Sequence, residues 1–213
     1  MKAVVVGAGG SVNEAVRSYL VAADLVVAAD GGARALLELG IEPALVVGDF
    51  DSLDAGCLRR LEEARCRLLK VRAEKDETDM ELAVNCALEH GAKSITLLGG
   101  IGSRLDHTHA NFILLARLAK MGKAARAVAP PLTVYATAGN LTIQGSPGDT
   151  VSVFPMQGSA TGVTEIGFKY KLTDSSLDPF IVTGVSNELC GREGNISVKE
   201  GVLLVFHYAN WRD

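Results

Sequence analysis

The first part of the chain alternates short apolar runs with stretches of helical period. Residues 3–6, 24–29, 44–47 and 94–98 are almost wholly apolar and too short for helices, as expected of strands covered on both faces. Residues 67–71 and 124–128 are further candidate strands. Residues 12–23, 33–39, 55–65 and 108–121 carry helical spacing. The best-marked helix starts at Thr78. Thr78 and Glu81 form a T-x-x-E capping box, Met80, Ala83, Val84, Ala87 and Leu88 follow at helical spacing, and Gly91 supplies the stop.

The pattern changes after residue 123, and Pro130-Pro131 marks a boundary. Beyond it lie short strand-like runs at 132–136, 141–144, 150–155, 162–168, 180–183, 195–198 and 202–208. Gly139-Asn140, Ser146-Pro147-Gly148 and Glu200-Gly201 are turn signals. The expected architecture is an α/β N-terminal domain over residues 1–130 with a mainly parallel sheet, followed by a small all-β sandwich over 131–213.

With 213 residues, 48% of them hydrophobic and 22% charged, the chain can bury a real core. A net charge of -4 with dispersed basic residues gives no field that draws in nucleic acid or a membrane surface. No run approaches the roughly 18 apolar residues of a membrane span. The apolar stretch at residues 3–6 is too short for a signal peptide and runs into glycines. Cys57, Cys66, Cys86 and Cys190 form no C-x-x-C pair and have no His at zinc spacing. They read as reduced thiols of a cytoplasmic protein.

Six aspartates then change the picture. They stand at strand ends or helix starts: Asp30 in Asp30-Gly31-Gly32, Asp49 and Asp51 in Gly48-Asp49-Phe50-Asp51-Ser52, Asp76 and Asp79 in Lys75-Asp76-Glu77-Thr78-Asp79, and Asp106 in Arg104-Leu105-Asp106-His107. Gathering carboxylates is costly through repulsion and desolvation, and a cation such as Mg2+ removes that cost. Asp49 and Asp51, two residues apart, point the same way in an extended segment and suit Mg2+ with its phosphates. Gly48 beside them lets backbone approach a ligand closely. The same residues also read as an Asp-rich turn, with Asp51 or Ser52 capping the next helix. Asp76 and Asp79 read either as ligands or as acidic residues favoured at a helix N-terminus, with Lys75 a surface partner.

Gly99-Gly100-Ile101-Gly102-Ser103-Arg104 is a glycine-rich strand-to-helix loop without the G-K-[ST] ending of a P-loop. Its amides and the Arg104 fork suit phosphate. It also reads as a flexible turn with Asp106 as cap. His107 falls near the same phosphate site, and Asn111 is either a ligand contact or part of a solvated face. Gly7-Ala8-Gly9-Gly10 matches a dinucleotide fingerprint only in part, since Val12 occupies the third glycine position. It serves equally as a turn near another ligand.

A-D-G-G (29–32), G-D-F-D-S (48–52), K-D-x-T-D (75–79) and G-G-x-G-x-R-x-D-H (99–107), with G-F-K-Y-K-L (167–172) and V-S-N-E (185–188), resemble the thiamine pyrophosphokinase family over nearly the whole chain. The resemblance implies pyrophosphoryl transfer from ATP to the hydroxyethyl oxygen of thiamine, with Mg2+, giving thiamine diphosphate and AMP. It implies a homodimer with thiamine near the subunit interface. On this resemblance Asp49, Asp51 and Asp79 hold Mg2+, and Asp76 is a further ligand or supports one. Asp76 and Asp79 are candidate bases. Asp30, Gly99, Gly100, Gly102, Arg104, Asp106, His107 and Asn111 bind ATP. Tyr170, where many relatives carry Trp, packs on thiamine, while Ser186 and Asn187 hydrogen-bond its aminopyrimidine. Another Mg2+-dependent phosphohydrolase, or a pyrophosphokinase for a different alcohol, is the alternative.

Overall fold

The structure is a computed structural model that describes residues 1–10, 12–72, 74 and 76–210. The first elements are β1 (Lys2–Val6), a 3-10 turn (Glu14–Val16), α1 (Arg17–Val21), β2 (Leu25–Ala29), α2 (Gly32–Glu38) and β3 (Leu45–Gly48). They are followed by α3 (Ala55–Glu63), β4 (Arg67–Lys70), α4 (Asp79–Glu89), β5 (Ser94–Leu98), α5 (Leu105–Lys120) and β6 (Ala124–Ala129). The remainder is all strand: β7 (Leu132–Thr137), β8 (Asn140–Gln144), β9 (Thr150–Pro155), β10 (Ala160–Ile166), β11 (Leu172–Leu177), β12 (Asn187–Glu188), β13 (Glu193–Ser197) and β14 (Leu203–Tyr208). The chain divides into two compact units. One comprises residues 1–111 and 127–129, the other residues 112–126 and 130 onward.

In the first unit β5, β1, β2, β3 and β4 lie side by side and are all parallel. All four residues of β3 are buried, as are four of five in β1 and in β5. Helices on both faces explain why these strands carry no polar alternation. α4 packs on β1, β2 and β3. Its cap is the expected one, with Thr78 Oγ1 accepting from Glu81 N at 3.1 Å. Val6, Leu36, Val46, Leu61 and Leu98 are in the core of this unit.

In the second unit β7, β14, β9 and β12 are antiparallel neighbours in one sheet, and β8, β13, β10 and β11 form a separate four-stranded antiparallel sheet. Ile143, Val153, Val163, Ile196, Leu203 and Val205, drawn from both sheets, share one core with Phe168 and Leu189. This is the expected sandwich.

Four elements differ from the expectation. The helix expected over 12–23 is a 3-10 turn, capped by Asn13 through Ala15 N at 3.0 Å, and a single turn of α-helix after it. The last helix of the first half starts at Leu105, not at 108. The strand expected over 180–183 is an exposed loop. Asp178 Oδ1 accepts from Phe180 N at 2.8 Å and its carbonyl accepts from Ile181 N, so a local turn takes the amides a sheet would need. The strand nearby is instead β11, whose polar sequence hid it and whose pairing with β10 is irregular.

Candidate functional site

β2, β3 and β4 lie to one side of β1, and β5 lies to the other. The strand order therefore reverses between β1 and β5, and a crevice forms beyond the strand ends at such a reversal. Two glycine loops meet there. Gly7 N donates to Leu98 O at 2.8 Å. Gly99 has a φ of +62°, and a Cβ on it would overlap Gly7 O and stand 2.7 Å from Gly9 O. Only glycine lets these two backbones touch. The resulting cleft holds about 530 Å³.

Asp30, Asp49 and Asp79 stand on the cleft wall. Carboxylate oxygens of Asp30, Asp49 and Asp51 lie within 4.8 Å of one another. Asp30 clasps the loop after β3: its Oδ1 accepts from Phe50 N at 3.1 Å and its Oδ2 from the Ser52 hydroxyl. That clasp holds Phe50 at a φ of +67°, a conformation unfavourable to a bulky side chain. The close approach that Gly48 permits is to Asp30, whose Cβ would be 2.8 Å from an added Gly48 Cβ. Asp51 N donates to Asp49 Oδ1 at 3.2 Å. The Asp49 charge pushes the Asp51 carboxyl above its ordinary range, with smaller contributions from desolvation, Asp30 and Asp79. Neither Asp51 nor Ser52 caps the next helix. Asp54 does, through Cys57 N at 2.8 Å, and Arg34 ties Asp54 and the Ser52 carbonyl to α2. Asp76 is exposed and does not line the cleft, and Lys75 lies outside the described residues.

The same cleft is lined by Gly99, Gly100, Gly102, Arg104, His107 and Asn111. Asn111 is buried, not on a solvated face, and its Nδ2 donates to Gly100 O at 2.7 Å. Thr108 Oγ1 accepts from Gly102 N at 3.1 Å. Two helix-borne side chains thus fix the glycine loop. Arg104 reaches both oxygens of Asp106, with Nε and Nη2 donating over 2.9 and 2.6 Å. This fork holds the Asp106 carboxyl well below the usual range. Asp106 itself does not line the cleft, and both partners are exposed.

In the second unit Tyr170 is exposed, with Lys169 Nζ 5.6 Å from its ring centroid. Ser186 has a φ of +57° and donates from its backbone N to Ser152 Oγ at 3.0 Å. It lines a groove of about 620 Å³ with Thr150, Phe154, Glu188 and Tyr208. Asn187 is buried. Its Oδ1 accepts from Tyr170 N and Glu188 N, both at 2.9 Å, and its Nδ2 donates to Tyr170 O and Glu165 Oε2. An amide so occupied, with two hydrogen bonds on each of its atoms, has no hydrogen-bonding group left over for a direct contact with a ligand.

Gly7 to Gly10, which the sequence offers either as a partial dinucleotide fingerprint or as a turn near another ligand, line the cleft. Thr78, Met80, Ser103 and Thr108 also line the cleft. Their signals, a helix cap and a helix face, have ordinary structural explanations.

A family model described as the thiamin pyrophosphokinase catalytic domain matches residues 16–126, and one described as the thiamin pyrophosphokinase vitamin B1 binding domain matches residues 140–203. The chain is 31% identical over 209 residues to the thiamine pyrophosphokinase of Bacillus subtilis (strain 168), covering 96% of this chain and 98% of that protein. The crystal structure of thiamine pyrophosphokinase from Bacillus subtilis aligns with a TM-score of 0.86 at 28% identity, over 99% of this chain and 100% of that one. The thiamin pyrophosphokinase structure from Geobacillus thermodenitrificans aligns with a TM-score of 0.82 at 31% identity, over 99% and 98% of the two chains. With both halves matched and the strand-end cleft in place, the chain belongs to the thiamin pyrophosphokinase family.

Proposed function

We propose that this protein is a thiamine diphosphokinase, which transfers the pyrophosphoryl group of ATP to thiamine. The thiamine hydroxyl oxygen bonds to the β-phosphorus of ATP, the bond from that phosphorus to the α-phosphate oxygen breaks, and AMP leaves. The hydroxyl proton passes to a carboxylate, for which Asp79 on the cleft wall and Asp76 just before α4 are the candidates. Such a transfer depends chiefly on positioning and on charge stabilisation. The observation that carries the reading is one cleft lined both by carboxylates and by amide-rich glycine loops with Arg104.

The carboxylate cluster fits Mg2+. Its oxygens are hard ligands, they converge, and the repulsion that lifts Asp51 is the cost a cation removes. Asp49 and Asp51 would hold the ion, with Asp79 lining the same cleft and Asp30 shaping the loop. Bound there, Mg2+ would neutralise charge on the phosphates. Gly99, Gly100, Gly102, Arg104 and His107 would receive ATP, with Asn111 and Asp106 ordering the loop and its arginine.

Residues 1–130 would then be the nucleotide and metal domain, and residues 131–213 the thiamine-binding and dimerisation domain. Tyr170 would stack on the cationic substrate, Ser186 would hydrogen-bond it, and Asn187 would hold Tyr170 in place. A homodimer is supported by the loop at 180–182, where Phe180 and Val182 are 93% and 82% exposed. The four free cysteines suit the cytoplasm, and no helix among the described residues is long and apolar enough to cross a membrane. The test is AMP release that requires both thiamine and Mg2+. ADP as the product, or ATP use indifferent to thiamine, overturns the proposal.

A further inference from the structure

At its C-terminal end β10 inverts the usual hydropathy of a half-covered strand. Val163 and Glu165 face inward, and Glu165 is 2% exposed, while the neighbouring Ile166 is 61% exposed. A slip of one residue would bury the isoleucine and free the carboxylate. The strand instead keeps its register with β13, where Glu165 pairs with Ile196. Burying a carboxylate is costly, and burial pushes this one above its ordinary range. Its Oε2 accepts from Asn187 Nδ2 at 2.8 Å, and its Oε1 is buried without a hydrogen-bond partner among the described residues.

What the glutamate holds is more informative than its burial. Asn187 grips both backbone groups of Tyr170: Oδ1 accepts from Tyr170 N at 2.9 Å, and Nδ2 donates to Tyr170 O at 2.7 Å. The side-chain amide thereby replaces a neighbouring strand at residue 170, whose ring is exposed. Its orientation depends on the second acceptor of Nδ2, which is Glu165. Asn187 also receives Glu188 N at 2.9 Å, so the same amide steadies the segment that carries Ser186.

We propose that Glu165 is a positioning residue for thiamine recognition, acting through Asn187 to fix the backbone of Tyr170. This rests on the assignment of Tyr170 and Ser186 to the thiamine side. Glu165 does not touch the substrate. Its effect falls on affinity for thiamine and leaves the nucleotide cleft alone. The acceptor oxygen matters and the charge does not.

The test compares Glu165→Leu, Glu165→Gln and Asn187→Ala by steady-state kinetics in both substrates, with a melting curve for each. Glu165→Leu should raise KM for thiamine about tenfold or more while KM for ATP stays within about twofold, the signature of one lost buried acceptor felt on one substrate. Glu165→Gln keeps an acceptor for Asn187 and should hold KM for thiamine within about threefold of wild type. Asn187→Ala should reproduce the rise even if Glu165→Leu fails to fold. Unchanged KM for thiamine in Asn187→Ala or in a folded Glu165→Leu overturns the proposal. So does an equal rise in both KM values, or a Glu165→Gln defect as large as that of Glu165→Leu. A wild-type protein that does not turn over thiamine overturns the functional assignment and the relay together. Turnover by wild type with indifferent variants overturns the relay alone.

Discussion

Replacing Gly99 by alanine tests whether the cleft depends on direct contact between two backbones. Gly99 sits at φ +62°, where a Cβ costs about 1–2 kcal/mol. The added carbon would also overlap Gly7 O and stand 2.7 Å from Gly9 O and 2.9 Å from Gly7 C, all backbone atoms that no rotamer change can move. Forcing such a contact apart adds about 1–3 kcal/mol. The total is about 2–5 kcal/mol, or roughly 4–20 °C in Tm for a chain of this size. Gly122 is the matched control: it has φ +69° and nothing within 4 Å of its added Cβ. Gly122→Ala should therefore show only the backbone cost, about 1–2 kcal/mol. Thermal and urea denaturation of both variants give the difference, and KM for ATP should rise only in Gly99→Ala. Equal destabilisation of the two would refute the contact argument.

Three further outcomes follow from the same structure. Asp51→Asn removes a charge that Asp49 repels, so in metal-free buffer it should melt no lower than wild type, yet gain less Tm from added MgCl2; an equal Mg2+ gain would remove Asp51 from the metal site. Burial pushes the Asp149 carboxyl up, but hydrogen bonds from Asn210 N, Ser146 N and His207 outweigh it, so its folded value lies below the ordinary 3.8. Such a group stabilises the fold above the unfolded value of about 3.9 and loses that contribution as pH falls through the lower folded value. The urea-midpoint gap between wild type and Asp149→Asn should be level at neutral pH and shrink below about pH 4; a gap that widens there would contradict the sign. Phe180→Asp should convert a wild-type dimer to monomer in sedimentation, whereas a monomeric wild type, or a dimeric variant, would count against the loop as interface.

The legible parts of the fold are those where local and global preferences agree. β1, β3 and β5 are apolar over nearly their whole length because both faces are covered, and α4 carries its own cap in Thr78. The loop at 180–183 is apolar in sequence like a buried strand, yet Phe180 and Val182 are exposed. β11 went unseen because Thr173, Asp174, Ser175 and Ser176 carry no alternation. In the site, the carboxylates and glycines after strand ends were visible as motifs, since strand-end position is written in the apolar run before them. Tertiary commitments were not visible. No local rule marks Asp30 as the clasp of a left-handed Phe50. The Asp54 cap, by contrast, is a local signal, an aspartate directly before the helix expected from residue 55. Glu165 was hidden for the opposite reason: a glutamate beside an isoleucine reads as the outward position, and here it is the inward one.

The most direct test of the functional account is the fate of the phosphates in one reaction mixture of protein, ATP, MgCl2 and thiamine, followed by phosphorus NMR. The account predicts thiamine diphosphate and AMP in equal amounts, with no turnover when thiamine or Mg2+ is left out. Formation of thiamine monophosphate with ADP, or release of phosphate without any thiamine ester, would contradict it.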